Sequence, residues 1–191
     1  MKIRQRLLLL LLMIPCIILI AACSDKQAMN DARIAFQTHF DALIDNDMQT
    51  LAATTSSEFR EAFLAKADVW GDPFTTMVAK SLYSRFDYKI LEIKSYGKDI
   101  VIKAHFSKPD YNDMEQAITQ AISNTDVEAF ANAGYSQEEF DRAMQQRMLV
   151  LIQQGNYKMK EADISILLVK ESDGWKVQRD LMPENISEDW F

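Results

Sequence analysis

An apolar run from Leu7 to Ile20 constrains this chain more than any other feature. It is preceded by Lys2, Arg4 and Arg6 with no acid among them, and followed by Ala21-Ala22-Cys23. A basic start, an apolar middle and a small-residue end are the layout of a secretory signal. A membrane-spanning helix needs about 20 apolar residues, and the run, with Pro15 in its middle, falls short of that. The expectation is that residues 1–22 are removed and the rest folds outside the cytoplasm. Cys16 would leave with the signal, so Cys23 is the sole cysteine of the remaining chain, which can form no internal disulfide. Stability must then come from a core, and residues 23–191 are enough for one domain with a sizeable one.

The segment Leu19-Ile20-Ala21-Ala22-Cys23-Ser24 resembles the lipobox of bacterial lipoproteins, with a branched apolar residue three before the cysteine and small residues beside it. Ile20 stands where leucine is commonest in that family. The resemblance implies cleavage between Ala22 and Cys23, a diacylglycerol thioether on Cys23, and a short tether over residues 23–30. It also implies a place in the cell envelope: the outer membrane facing the periplasm in a Gram-negative cell, the cell surface in a Gram-positive one. Ser24 after the cysteine resembles the pattern sorted to the outer membrane. Loss of Lys2, Arg4 and Arg6 moves the formal charge from −7 to −10. Such a surface opposes nucleic acid and anionic headgroups, so membrane affinity must come from the lipid and no nucleic-acid partner is expected.

In the remaining chain, Ala32, Phe36, Phe40, Leu43 and Ile44 recur at helical spacing until Asn46-Asp47 closes the run. Thr55 to Glu58 reads as a capping box opening a helix with Phe59, Ala62 and Phe63 on one face. After Gly71-Asp72-Pro73, a third stripe follows through Phe74, Met77, Val78 and Leu82. The period then becomes two. Ile100, Ile102, Ala104 and Phe106 alternate with polar neighbours after a turn at Tyr96-Gly97-Lys98-Asp99, which predicts a hairpin with one buried face. Helical spacing returns over Tyr111 to Ile122, with further capping boxes at Thr125 to Glu128 and Ser136 to Glu139, and Gly155 as a helix stop. Ala162, Ile164, Ile166 and Leu168 alternate again, and Asp173-Gly174 turns into a return strand at Trp175-Lys176-Val177.

This order predicts a single α+β domain over 31–191. Amphipathic helices pack on a curved antiparallel sheet of two hairpins, with a helical insertion of about 110–155 between the hairpins. The first helix ending Phe40-Asp41-Ala42-Leu43-Ile44-Asp45-Asn46-Asp47, the strand Tyr88-Lys89-Ile90-Leu91 and the hairpin Leu168 to Val177 resemble the nuclear-transport-factor-2-like superfamily, a helix-packed cone of sheet. The closer resemblance is to its small bacterial lipoproteins with a helical insertion. It implies fold rather than chemistry.

Enzymes of that superfamily place an acid and a hydrogen-bond donor inside the cone. Candidates are Glu92, Asp163, His105, Tyr88 and Tyr157, none within a catalytic motif. Glu92, Asp163 and His105 read more simply as solvent-facing strand residues, and the tyrosines as core rings with wet hydroxyls. His39 sits at the edge of the first apolar stripe, where its ring can pack and its tip stay wet. Two separate histidines and no available thiol make no zinc site, and five scattered glycines make no phosphate loop. No cofactor or metal is expected. Asn185-Ile186-Ser187 matches a glycosylation sequon, a chance match in the bacterial cell that the lipobox resemblance implies. Trp190-Phe191 either docks on the domain or awaits a partner.

The function expected is a membrane-tethered, non-enzymatic module that binds an apolar small ligand or an envelope protein. An enzyme with an acid inside the cone, and a purely structural lipoprotein, are the alternatives. Phe140, Met144, Met148 and Leu151 form the stripe by which the insertion would cover the sheet as a lid, or meet a partner.

Overall fold

The computed structural model describes residues 25–67, 73–123, 134 and 136–181. Within them lie six helices and a four-stranded antiparallel sheet, with the helices packed on a curved sheet as the change of period predicts. Helix α1 spans residues 25–45. Asn46 ends it at φ 57, in the left-handed region that asparagine tolerates better than most residues. Residues 25–30, expected as tether, are already its first turns. Ala28 and Met29 are the apolar residues among these six, too few for an apolar-period search to find, and Gln27 donating to Asp31 one turn on supports the helix.

Asp47 caps the short helix α2 (Met48–Thr54), for which the sequence carries no periodic signal, accepting from the Thr50 amide at 3.1 Å. Helix α3 (Ser57–Ala67) follows. The expected capping box from Thr55 to Glu58 is replaced by long-range partners. Glu171 accepts from the Ser57 amide at 2.8 Å, and Glu58 accepts from Gln178 at 2.6 Å. Thr55 bridges Val177, so the junction of α2 and α3 lies along the last strand. Helix α4 (Pro73–Tyr83) starts on its proline, where the missing amide hydrogen costs least.

The sheet runs β1 (Asp87–Tyr96), β2 (Asp99–Pro109), β3 (Met159–Glu171) and β4 (Gly174–Leu181), each strand beside its predecessor. Gly97 at φ 64 makes the tight β1–β2 turn. A register shift between Ile90 and Glu92 bulges the free edge of β1 and pushes Leu91 outward. Between β2 and β3 the chain leaves the sheet for α5 (Tyr111–Ser123) and α6 (Gln137–Gln154), and returns so that Pro109 pairs with Met159. Ser136 and Glu139 make the capping box read from the sequence, and Gly155 at φ 67 is the stop. The box at Thr125 to Glu128, the sequon and Trp190-Phe191 lie outside the described residues.

The core is the contact of α1 with one sheet face. Ala32, Phe36 and Phe40 meet Ile100, Ile102, Ala104 and Phe106 of β2, Ile164, Ile166 and Leu168 of β3, and Val177 of β4. Each is buried because period 3.6 on the helix and period 2 on the strands face one another. Phe36, Phe40, Phe86, Tyr88 and Phe106 form one ring cluster, with Phe40 and Phe106 centroids 5.0 Å apart. Helix α6 packs on α4 and α5. Helix α1 lies on the inner face of the sheet, and among the described residues the insertion has helices as its main packing partners. No helix among the described residues is long and apolar enough to cross a membrane.

Candidate functional site

The interior of the sheet is filled by rings, and Glu92 and Asp163 lie outside it, facing solvent as the simpler strand reading expects. Tyr88 presents its ring to Phe36, Phe40 and Phe106, while its hydroxyl donates to Asp41 at 2.7 Å. Burial, and then the Asp41 carboxylate, raise its pKa well above the phenol range. Tyr157 donates to the Ile152 carbonyl at 3.0 Å and lies under the Arg85 guanidinium. Tyr88 is a ring packed on the core, Tyr157 a partly buried ring beside Arg85, and both hydroxyls are satisfied.

His39 is more enclosed than its place at the stripe edge foretold. Helix α2 folds back across α1 and brings the Thr54 hydroxyl to 3.0 Å from His39 Nδ1. That hydroxyl already donates to the carbonyls of Thr50 and Leu51, so Nδ1 carries the proton and donates to it. Burial lowers the His39 pKa to about 4, and the ring is neutral at pH 7.

The outward face carries the charged groups. His105 and Asp163 stand opposite one another on β2 and β3, and His105 Nδ1 lies 2.9 Å from the Asp163 carboxylate. Lys103 reaches the other Asp163 oxygen at 3.1 Å, and Glu161 lies 3.7 Å from His105 Nε2. The His105 hydrogen bond and then that of Lys103 hold the Asp163 carboxyl below its usual range. With the carboxylate ionised, Nδ1 must be the donor. Glu92 pairs with Lys94 at 2.8 Å near the free edge. The His105 and Asp163 side chains remain 42% and 43% exposed. Neither acid therefore faces an enclosed cavity, the geometry that general acid or base work at a raised pKa requires. No group of three or more histidine, cysteine or carboxylate side chains among the described residues is placed to hold a metal ion.

At one end of the sheet, the start of α1 and the turns of both hairpins enclose an open cleft of about 480 Å³. Asp25 and Asp31 stand on the α1 side, with Lys98, Lys170 and Trp175 on the hairpin side. Local spacing assigns each of these only to a tether, a helix, a turn or a strand. Their convergence depends on α1 running along the sheet, which no short motif encodes. Phe140, Met144, Met148 and Leu151 lie along α6 beside the fully buried Ile152, with Phe140, Met144, Met148 and Leu151 half-buried.

The fold has a solved counterpart. A candidate lipoprotein, YcdA, from Bacillus subtilis matches with a TM-score of 0.55 at 12% identity, over 83% of this chain and 55% of that one. The likeness is therefore one of fold, and this chain spans about half the length of that protein. No family model matches the sequence, and no curated protein matches it.

Proposed function

We propose that this chain is a lipoprotein of the cell envelope, cut before Cys23 and lipidated there, whose folded part is a non-enzymatic binding module for an envelope protein. Anchoring is supported by Ala21-Ala22-Cys23 at the end of the apolar run. The fold shared with YcdA, itself a candidate lipoprotein, agrees with it. The α1-filled curve of the sheet also suits the finer, cone-like superfamily reading. The insertion stripe, Phe140 to Leu151, is a second surface for a partner or lid.

The observation that carries the binding half is the packing of Phe36 and Phe40 against Phe106. It fills the space in which a cone would hold an apolar ligand. The outward sheet face, with His105, Lys103, Asp163 and Glu161 partly exposed in one array, is left as a polar, patterned surface of the kind proteins read.

Two measurements test this. Cys23→Ala should abolish incorporation of a fatty-acid label and membrane retention, and a labelled, membrane-bound mutant would end the anchoring claim. A photo-crosslinking residue at position 105 should capture one discrete envelope protein in cells that the same group at exposed position 34 does not. Identical or absent products at both positions would remove the sheet face as the working surface.

A further inference from the structure

Four charged side chains line the cleft at the start of α1, and they are sorted by wall. Asp25 and Asp31 are on the helix, Lys98 is in the β1–β2 turn, and Lys170 is on β3. Among the described residues no ion pair joins the two sets; Asp31 accepts from Gln27 at 2.7 Å, and the Lys170 amine lies 5.3 Å over the Trp175 ring. Two carboxylates and two amines held apart across about 480 Å³ have room for a ligand carrying both signs. Ala28, Ile100 and Trp175 give the same cleft an apolar lining. Tyr96, the last residue of β1, is 59% exposed.

The cleft also lies close to Cys23 along the chain. Asp25 is two residues on, so covalent geometry keeps the two Cα atoms within about 7 Å. This step rests on the lipidation proposed above. A lipid on Cys23 then holds the cleft within the headgroup layer, the depth at which tyrosine and tryptophan rings are favoured. Any headgroup that fits is present at high effective concentration, so weak intrinsic affinity suffices. The formal charge of −10 left after residues 1–22 disfavours anionic lipids.

We propose that the cleft between α1 and the hairpin turns binds the headgroup of a zwitterionic aminophospholipid of the anchoring membrane. Lys98 and Lys170 take the phosphate, and Asp25 and Asp31 take the ammonium. Trp175 and Ala28 meet the glycerol and the first methylenes. Bound this way, the domain has one orientation on the bilayer, with its hairpin turns toward the lipid.

The test is a titration of residues 23–191 carrying Cys23→Ser with monomeric dihexanoyl phosphatidylethanolamine, followed by amide and indole NMR shifts. Saturable shifts are expected at Gly97, Lys98 and the Trp175 indole. Lys98→Glu, at an exposed turn position, should weaken binding at least tenfold, while Glu138→Gln at the exposed start of α6 should leave it unchanged. Dihexanoyl phosphatidylglycerol should bind at least tenfold more weakly, and inorganic phosphate should give no saturable shift. Absence of saturation, equal binding of phosphatidylglycerol, equal response to phosphate alone, or indifference to Lys98→Glu would each overturn the proposal. The titration uses unlipidated protein. Its failure therefore leaves the Cys23 labelling result standing, and loss of labelling would leave the titration intact.

Discussion

His39 of α1 donates to the hydroxyl of Thr54 on α2 across 3.0 Å, and this contact ties the acid stability of the domain to one imidazole. Because burial lowers its pKa from 6.5 to about 4, the folded chain binds fewer protons than the unfolded chain between those values. Stability from this group is then full above pH 6.5 and falls as the pH drops toward 4, with a slope of at most about 1.4 kcal/mol per pH unit. His39→Gln should flatten this part of the profile. Urea unfolding at pH 7 and pH 4.5 measures it; a parent and mutant losing equal stability between those points would show that His39 does not carry the effect.

Gly155 ends α6 at φ 67, and a Cβ there would run into the Arg85 guanidinium, which itself donates to the Gln153 carbonyl at 2.8 Å. Gly155→Ala should therefore cost about 1–2 kcal/mol from left-handed strain and displacement of Arg85. In the Arg85→Ala background the penalty should shrink to the backbone part. Additive losses in the double mutant would mean that Arg85 yields freely.

Met148 is half-buried on α6, which packs on α4 and α5. Met148→Asp should destabilise the domain by about 2 kcal/mol, since it exchanges apolar contact for an unpaired charge. A midpoint in urea within error of the parent would put this stripe in solvent and make it a partner surface.

His105→Ala and Lys103→Ala should leave stability within about 0.5 kcal/mol, because partly exposed ion pairs contribute little. The same changes should reduce the crosslink expected from the sheet face. Loss of several kcal/mol in either mutant would show that the array is structural.

Much of the architecture is legible in the sequence because apolar period and burial agree. Phe36 and Phe40 on α1, and Ile102, Ala104 and Phe106 on β2, are buried where spacing puts them. Legibility ends where partners are distant. Glu171 caps α3 from 114 residues away, which no local motif reports. Helix α2 has seven residues, too few for a periodic signal, yet it closes over His39. His105 and Asp163 are each visible as strand residues, but their pairing follows from a register set across the whole insertion. The cleft needs the same long-range information, since Asp25, Lys98 and Lys170 come from three separate elements.

The pairing of Pro109 with Met159 bears on how the domain assembles. Each hairpin closes locally, but joining β2 to β3 requires the ends of a segment of about 50 residues to meet, a slow step for non-local sheet contacts. A chain appearing amino terminus first presents Ile100, Ile102, Ala104 and Phe106 before β3 exists to flank them. For that interval, among the described residues, α1 is the helix placed to shelter the half-built sheet, and the bare side of β2 is open to adhesion between molecules. Early docking of α1, or prompt folding of α5 and α6 to shorten the gap, therefore decides how much of the chain escapes aggregation.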